Sequence, residues 1–252
     1  MELELYRTAL IIAGAVNLLI AVALLHNNVY FRVYDVYYRS RTLVAINYAI
    51  FGIGFLIHAY FVLRTTWPEA ASALTVSYFH SGGVLFGWSH ISLMRPDYLS
   101  KKRVVCDLAI LFVGIVTYWT VMQDWAFAIF FVHASYIAFN FYRTYYQVIK
   151  NIEDMPADEK APRWWTAEIK RTVLRFHHSF VLGCNLIVLF GLGSIMITAA
   201  FPHDILPYTL LTLSGIVVFS FIFYSLAEYG NVIDAGTNAT EDASKGAASR
   251  RL

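Results

Sequence analysis

Seven stretches of this chain are long and apolar enough to cross about 30 Å of hydrocarbon as helices, a distance that takes about 20 residues. They run over 6–26, 42–64, 73–94, 104–123, 125–149, 174–201 and 205–229. Lipid offers no partner to a backbone N–H or C=O, so each run has to close its hydrogen bonds internally, as a helix. The expected fold is all-α: a polytopic seven-transmembrane-helix bundle over 1–230, followed by a disordered, polar cytoplasmic tail over 231–252. All six prolines fall at or near the connections, so no span needs a proline kink.

The basic residues orient the bundle. With the N-terminus outside, Arg7 and Arg64 are alone on the outer side, and every other Lys and Arg falls in an inner connection or the tail. By the positive-inside rule the C-terminus is then cytoplasmic, and the expected location is the inner (cytoplasmic) membrane. The acidic opening MELELYR lacks the basic region of a signal peptide, so the first run is expected to be a span itself. Before the sixth run, Trp165, Ile169, Val173 and Phe176 share one face. That segment reads either as a helix lying on the inner surface or as an extension of the sixth span.

Composition removes several classes. Only 14% of the 252 residues are charged, against about 25% in a soluble domain, and 58% are hydrophobic. A net charge of +2, with its basic residues in short loops, does not suit nucleic acid. Cys106 and Cys184 have no CxxC partner and read as buried free thiols. A retinal pigment needs a membrane lysine, and all six lysines lie outside the runs. There is no GxSxG, HExxH or CxxCH motif, so catalysis by this chain is not expected.

Polar groups inside the runs are the functional candidates, because they are expensive in lipid and normally face the bundle interior. The third run, ALTVSYFHSGGVLFGWSHISLM, places His80, Gly83, Gly87 and His90 on one narrow stripe. It is therefore expected at the centre of the bundle, with Gly83 and Gly87 letting a neighbouring helix approach closely. His58, His80 and His133 lie about six, seven and eight residues from the outer ends of their runs, at one level about 10 Å below the surface. They are expected to line a ligand pocket, or to hold a metal or haem if they converge. His90, His178, Asn140, Asn185 and Glu228 form an expected inner polar layer, and Asp107 lies near the inner end of the fourth run.

Three segments carry a resemblance. Leu5–Asn28, Tyr78–His90 (YFHSGGVLFGWSH) and Phe176–Ile195 (FHHSFVLGCNLIVLFGLGSI) look like the membrane-embedded N-terminal parts of some bacterial AraC-type transcriptional regulators. The resemblance covers about residues 1–243 and implies a sensor that passes an envelope signal inward; it assigns no site residue. No helix-turn-helix or kinase segment follows the seventh run, so the expected output is an absent domain or a separate cytoplasmic partner. The expected function is a seven-helix sensor module detecting an envelope or membrane-soluble signal. The alternatives are a haem- or metal-binding oxidoreductase subunit using His58, His80 and His133, or a small-solute transporter.

Overall fold

The computed structural model describes residues 2–26, 35–120, 124–154 and 167–224. Among these the chain is helical apart from short turns, with no strand. The long helices are α1 (Glu2–His26), α2 (Asp35–Phe61), α4 (Pro68–Phe86), α6 (Lys101–Thr120), α7 (Asp124–Asp154), α8 (Ala167–Ala200) and α9 (Ile205–Tyr224). Two short helices, α3 (Leu63–Thr66) and α5 (Ser92–Met94), flank α4 and its continuation.

Five helical segments are long and apolar enough to span a membrane: Glu2–His26, Tyr37–Phe61, Lys101–Thr120, Val181–Ala200 and Ile205–Tyr224. The two exceptions among the long helices are informative. α4 carries Ser72, Thr75, Ser77, His80 and Ser81, and α7 carries His133 and Thr144. Both are diluted in apolar residues because they supply the polar groups of the interior.

α4 packs on α2, α6, α7 and α8, which puts the third run at the centre of the bundle. It is not the single helix that its length suggests. After Phe86 the hydrogen bonding widens to a π turn over Gly87–Ile91 before α5 and a 3₁₀ turn at Pro96–Tyr98. Such a turn inserts one extra residue into the helical register, and it commonly marks functional positions. α8 runs unbroken from Ala167, so the segment before the sixth run extends that helix; Trp165 lies outside the described residues. The tail over 231–252 also lies outside them.

The backbones of α1 and α2 approach closely at a pair of glycines. A Cβ on Gly14 would stand 3.1 Å from the Gly52 carbonyl oxygen, and one on Gly52 3.1 Å from that of Gly14. Small residues at such a crossing allow dispersion contacts along both helices, which is how apolar helices associate where lipid supplies no hydrophobic drive. The expectation for the α4 glycines holds only in half. A Cβ on Gly87 would meet Ile137 of α7 at 2.8 Å, whereas one on Gly83 meets nothing within 4 Å. Gly83 borders a cavity instead of a helix, because shared position on a stripe does not guarantee a shared neighbour.

Aromatic rings fill the middle. Phe51 of α2 lies edge-on to Tyr78 and Phe79 of α4, with centroids 5.3 and 5.1 Å apart, and 5.0 Å from Phe219 of α9. Tyr48 donates its hydroxyl to the Phe219 carbonyl, tying α2 to α9. These edge-to-face and tilted ring contacts join three helices.

Candidate functional site

Two of the three histidines expected at one level meet. His80 Nε2 of α4 lies 2.8 Å from His133 Nδ1 of α7. On its other side, His80 Nδ1 lies 2.8 Å from the Tyr118 hydroxyl of α6. His133 Nε2 faces Asp107 Oδ1 of α6 across a longer 3.4 Å. The carboxylate also accepts from Trp88 Nε1 at 2.8 Å and from Arg103 Nε at 3.1 Å. Arg103 continues to the hydroxyls of Tyr136 and Tyr98.

With Asp107 ionised and His133 neutral, the row has one direction. An ionised Asp107 only accepts, so His133 donates to it from Nε2. Neutral His133 then accepts at Nδ1, so His80 donates from Nε2 and accepts at Nδ1 from the Tyr118 O–H. Every proton of Tyr118, His80 and His133 points toward Asp107. Along α6, Tyr118 and Asp107 are 11 residues apart, or about 16 Å, so the row covers roughly half a bilayer core. Trp88 joins from within the π turn, and Gly114 makes room, since a Cβ there would stand 2.9 Å from the His80 ring.

His58 is not part of this row. It faces Thr75 Oγ1 at 3.2 Å, in a second polar cluster with Arg64. The reason is rotation: counting residues sets the depth of a side chain, whereas the direction it faces depends on packing. Among the described residues no group of three or more His, Cys, Asp and Glu side chains gathers at metal-ligand geometry. The three-histidine metal or haem constellation is therefore not assembled here.

Arg64 is the residue that sequence reasoning missed. It was legible only as one of two outer cations. Val62 adopts a left-handed backbone (φ 49°), strained for a β-branched residue, and so separates α2 from α3. The turn carries Arg64 inward, where it is 1% exposed. Its Nη1 donates to Ser72 Oγ (2.8 Å) and the Pro202 carbonyl (3.3 Å), and Nη2 to Thr75 Oγ1 (3.2 Å). The guanidinium stacks 3.7 Å over the Tyr208 ring of α9.

The expected inner layer does not form as a layer. His90 stacks on Phe86 and faces Ser89 Oγ at 2.8 Å. Asn140 donates to the Tyr136 carbonyl of its own helix. Asn185 accepts from the Tyr142 hydroxyl, and exposed His178 faces the Tyr145 hydroxyl at 3.1 Å. Each is satisfied locally, which removes the need to converge. Glu228 lies outside the described residues.

Between α2, α4, α7, α8 and α9 lies an apolar cavity of about 120 Å³. Phe51, Phe79, Phe130 and Phe190 wall it, and Gly83 and Gly191, neither with a neighbour at its Cβ position, leave it open. Asn47 Oδ1 at its edge is buried and has no donor among the described residues. No protein-family model, curated protein or solved structure matches this chain.

Proposed function

We propose that this chain is a seven-helix sensor module of the inner membrane, with its N-terminus outside and C-terminus cytoplasmic. In this reading α4, α5 and their π turn form one span and α7 another, beside the five strongly apolar segments. The distribution of Lys and Arg supports the orientation. A membrane-soluble, largely apolar ligand enters the cavity between α4 and α7, and the shift in their packing is read out at the cytoplasmic surface by a partner.

The observation that carries this reading is that the cavity and the directed row share their walls. Phe130, Ala134 and Ile137 of α7 line the cavity, and His133 of the same helix is the middle of the row. On α4, Phe79 and Gly83 line the cavity, and His80 lies between them in sequence. A ligand that parts these helices stretches the 2.8 Å His80–His133 bond. The far end of the row is Arg103, next to the exposed connection bearing Arg95, Lys101 and Lys102. A ligand with different affinities for two such arrangements shifts the population between them.

Trypsin cleavage of that connection in inside-out vesicles tests the reading, with Gly83→Leu as a built-in occupant of the cavity. The expected result is a several-fold change in cleavage rate in the variant, with no cleavage in right-side-out vesicles. Equal rates in the wild type, Gly83→Leu and His133→Phe refute the sensor reading; cleavage only from the opposite side refutes the orientation.

A further inference from the structure

We infer that Arg64 is the recognition point for a carboxylate, at a site separate from the central cavity. Three features distinguish it from a structural arginine. First, among the described residues no Asp or Glu lies within ion-pair distance of Arg64; Asp204 on the α8–α9 turn is exposed and makes no ion pair with it. A buried guanidinium without a counter-ion is unfavourable unless something supplies the negative charge.

Second, the surplus hydrogen-bonding groups converge. Arg64 Nε, His58 Nδ1 and the Tyr208 hydroxyl are all buried and without a partner among the described residues, and all three residues line one small void. Arg64 Nε and Tyr208 donate; Thr75 gives its one proton to the Ala71 carbonyl, so His58 Nε2 donates to Thr75 Oγ1 and Nδ1 is left as an acceptor. The site thus offers two free donors and one full positive charge. Tyr6 of α1 also faces the guanidinium. The donors come from α3 and α9, so the site is built by the tertiary fold and not by one turn.

Third, size selects the ligand. The void measures about 10 Å³, room for about one water-sized atom, so it admits a carboxylate oxygen and not a phosphate group. A planar guanidinium matches a carboxylate through paired N–H donors. Phe79 and Phe190, with centroids 6.0 Å apart, line both this void and the apolar cavity. A carboxylate carried on a hydrocarbon chain could therefore place its head at Arg64 and its chain between these rings. A free short carboxylate would use the head site alone. The inference rests on the sensor reading only for the consequence of binding; binding itself is measured apart from it.

The test uses the full chain in nanodiscs and thermal shift with three probes: acetate, decanoate and decanol, which has the chain without the charge. A saturable rise in Tm is expected with decanoate and not with decanol, with at least a tenfold weaker apparent affinity in Arg64→Gln. Acetate matching decanoate identifies a free carboxylate as the source, and acetate far weaker identifies a chain-borne one. Tyr208→Phe, which removes one donor and keeps the ring beneath Arg64, is expected to weaken decanoate several-fold; it decides the matter if Arg64→Gln does not fold. The inference is overturned if no carboxylate shifts the wild type, if decanol equals decanoate, or if both variants bind as the wild type does. Binding at Arg64 with trypsin rates insensitive to the ligand would keep the site and uncouple it from the sensor reading, which the Gly83→Leu and His133→Phe rates test separately.

Discussion

The bundle contains two polar regions within a few helices of each other, and they are finished differently. In the row from Tyr118 to Arg103 each donor has an acceptor, and the one carboxylate is balanced by the one cation. In the cluster around Arg64 a full charge is stacked on a ring, held by hydroxyls and a carbonyl, and surrounded by leftover donors. A closed network in a low-dielectric interior specifies one arrangement and resists change. An open one holds the capacity to bind. The pair teaches that burial and polarity do not by themselves mark a binding site; the unmatched charge and donors do.

If that contrast is right, removing a member should hurt far more in the closed network. Asp107 is 2% exposed and accepts from Trp88, Arg103 and His133. Asp107→Leu leaves Arg103 without its counter-ion and the Trp88 N–H without its acceptor, and removes the end that orients both imidazoles. The expected loss is about 3–5 kcal/mol of stability, seen as a large fall in the SDS fraction at which the bundle unfolds. A loss below about 1 kcal/mol would break the comparison, because the network would then not be closing anything.

Gly114 sharpens the same contrast without touching a polar group. A Cβ there would stand 2.9 Å from His80 Cε1 and Nδ1 and 3.0 Å from the Tyr118 hydroxyl. Gly114→Ala therefore pushes the ring and the phenol apart, at an expected cost of about 1–3 kcal/mol. Gly83→Ala, with no atom within 4 Å of its Cβ, serves as the control and is expected to be nearly neutral. Equal losses in the two variants would mean that general helix packing, and not the row, sets the effect.

How far the sequence reveals these regions follows from what each signal measures. Hydropathy identifies α1, α2, α6, α8 and α9, since their windows are plainly apolar. It is weaker for α4 and α7, where polar residues needed inside dilute the signal. Residue counting sets His80 and His133 at one depth, and they do meet. It sets His58 at the same depth, yet His58 faces α4 from another side, next to Thr75. Gly87 at the start of the π turn also reads as a packing glycine, and the left-handed backbone at Val62 falls on a β-branched residue, so Trp88 and Arg64 could not be placed. Those two irregularities aim one residue into each polar region.

A smaller effect measures how tightly the closed network is coupled. The double-mutant cycle of His80→Ala and Tyr118→Phe isolates one 2.8 Å hydrogen bond. Interhelical bonds of this kind average about 0.6 kcal/mol in membrane proteins, and that is the coupling expected from the cycle by SDS unfolding. A coupling above about 2 kcal/mol would show the row acting as one unit.

The smallest expected effect falls on the most conspicuous residue. Arg64→Met removes a side chain that is 1% exposed and makes three hydrogen bonds, which by burial alone suggests a severe loss. The charge argument runs the other way. Arg64 has no ion-pair partner, so its removal strands no carboxylate and relieves the desolvation of an unmatched cation. Thr75 keeps its bond to the Ala71 carbonyl, and methionine still packs against Tyr208. The opposing terms leave a net change within about 1 kcal/mol without ligand. Stability in detergent should therefore hardly move, while the decanoate-dependent rise in Tm disappears. If Arg64→Met instead falls as far as Asp107→Leu, the guanidinium is a structural pin between α3, α4 and the Pro202 turn. The two regions would then differ in composition and not in purpose.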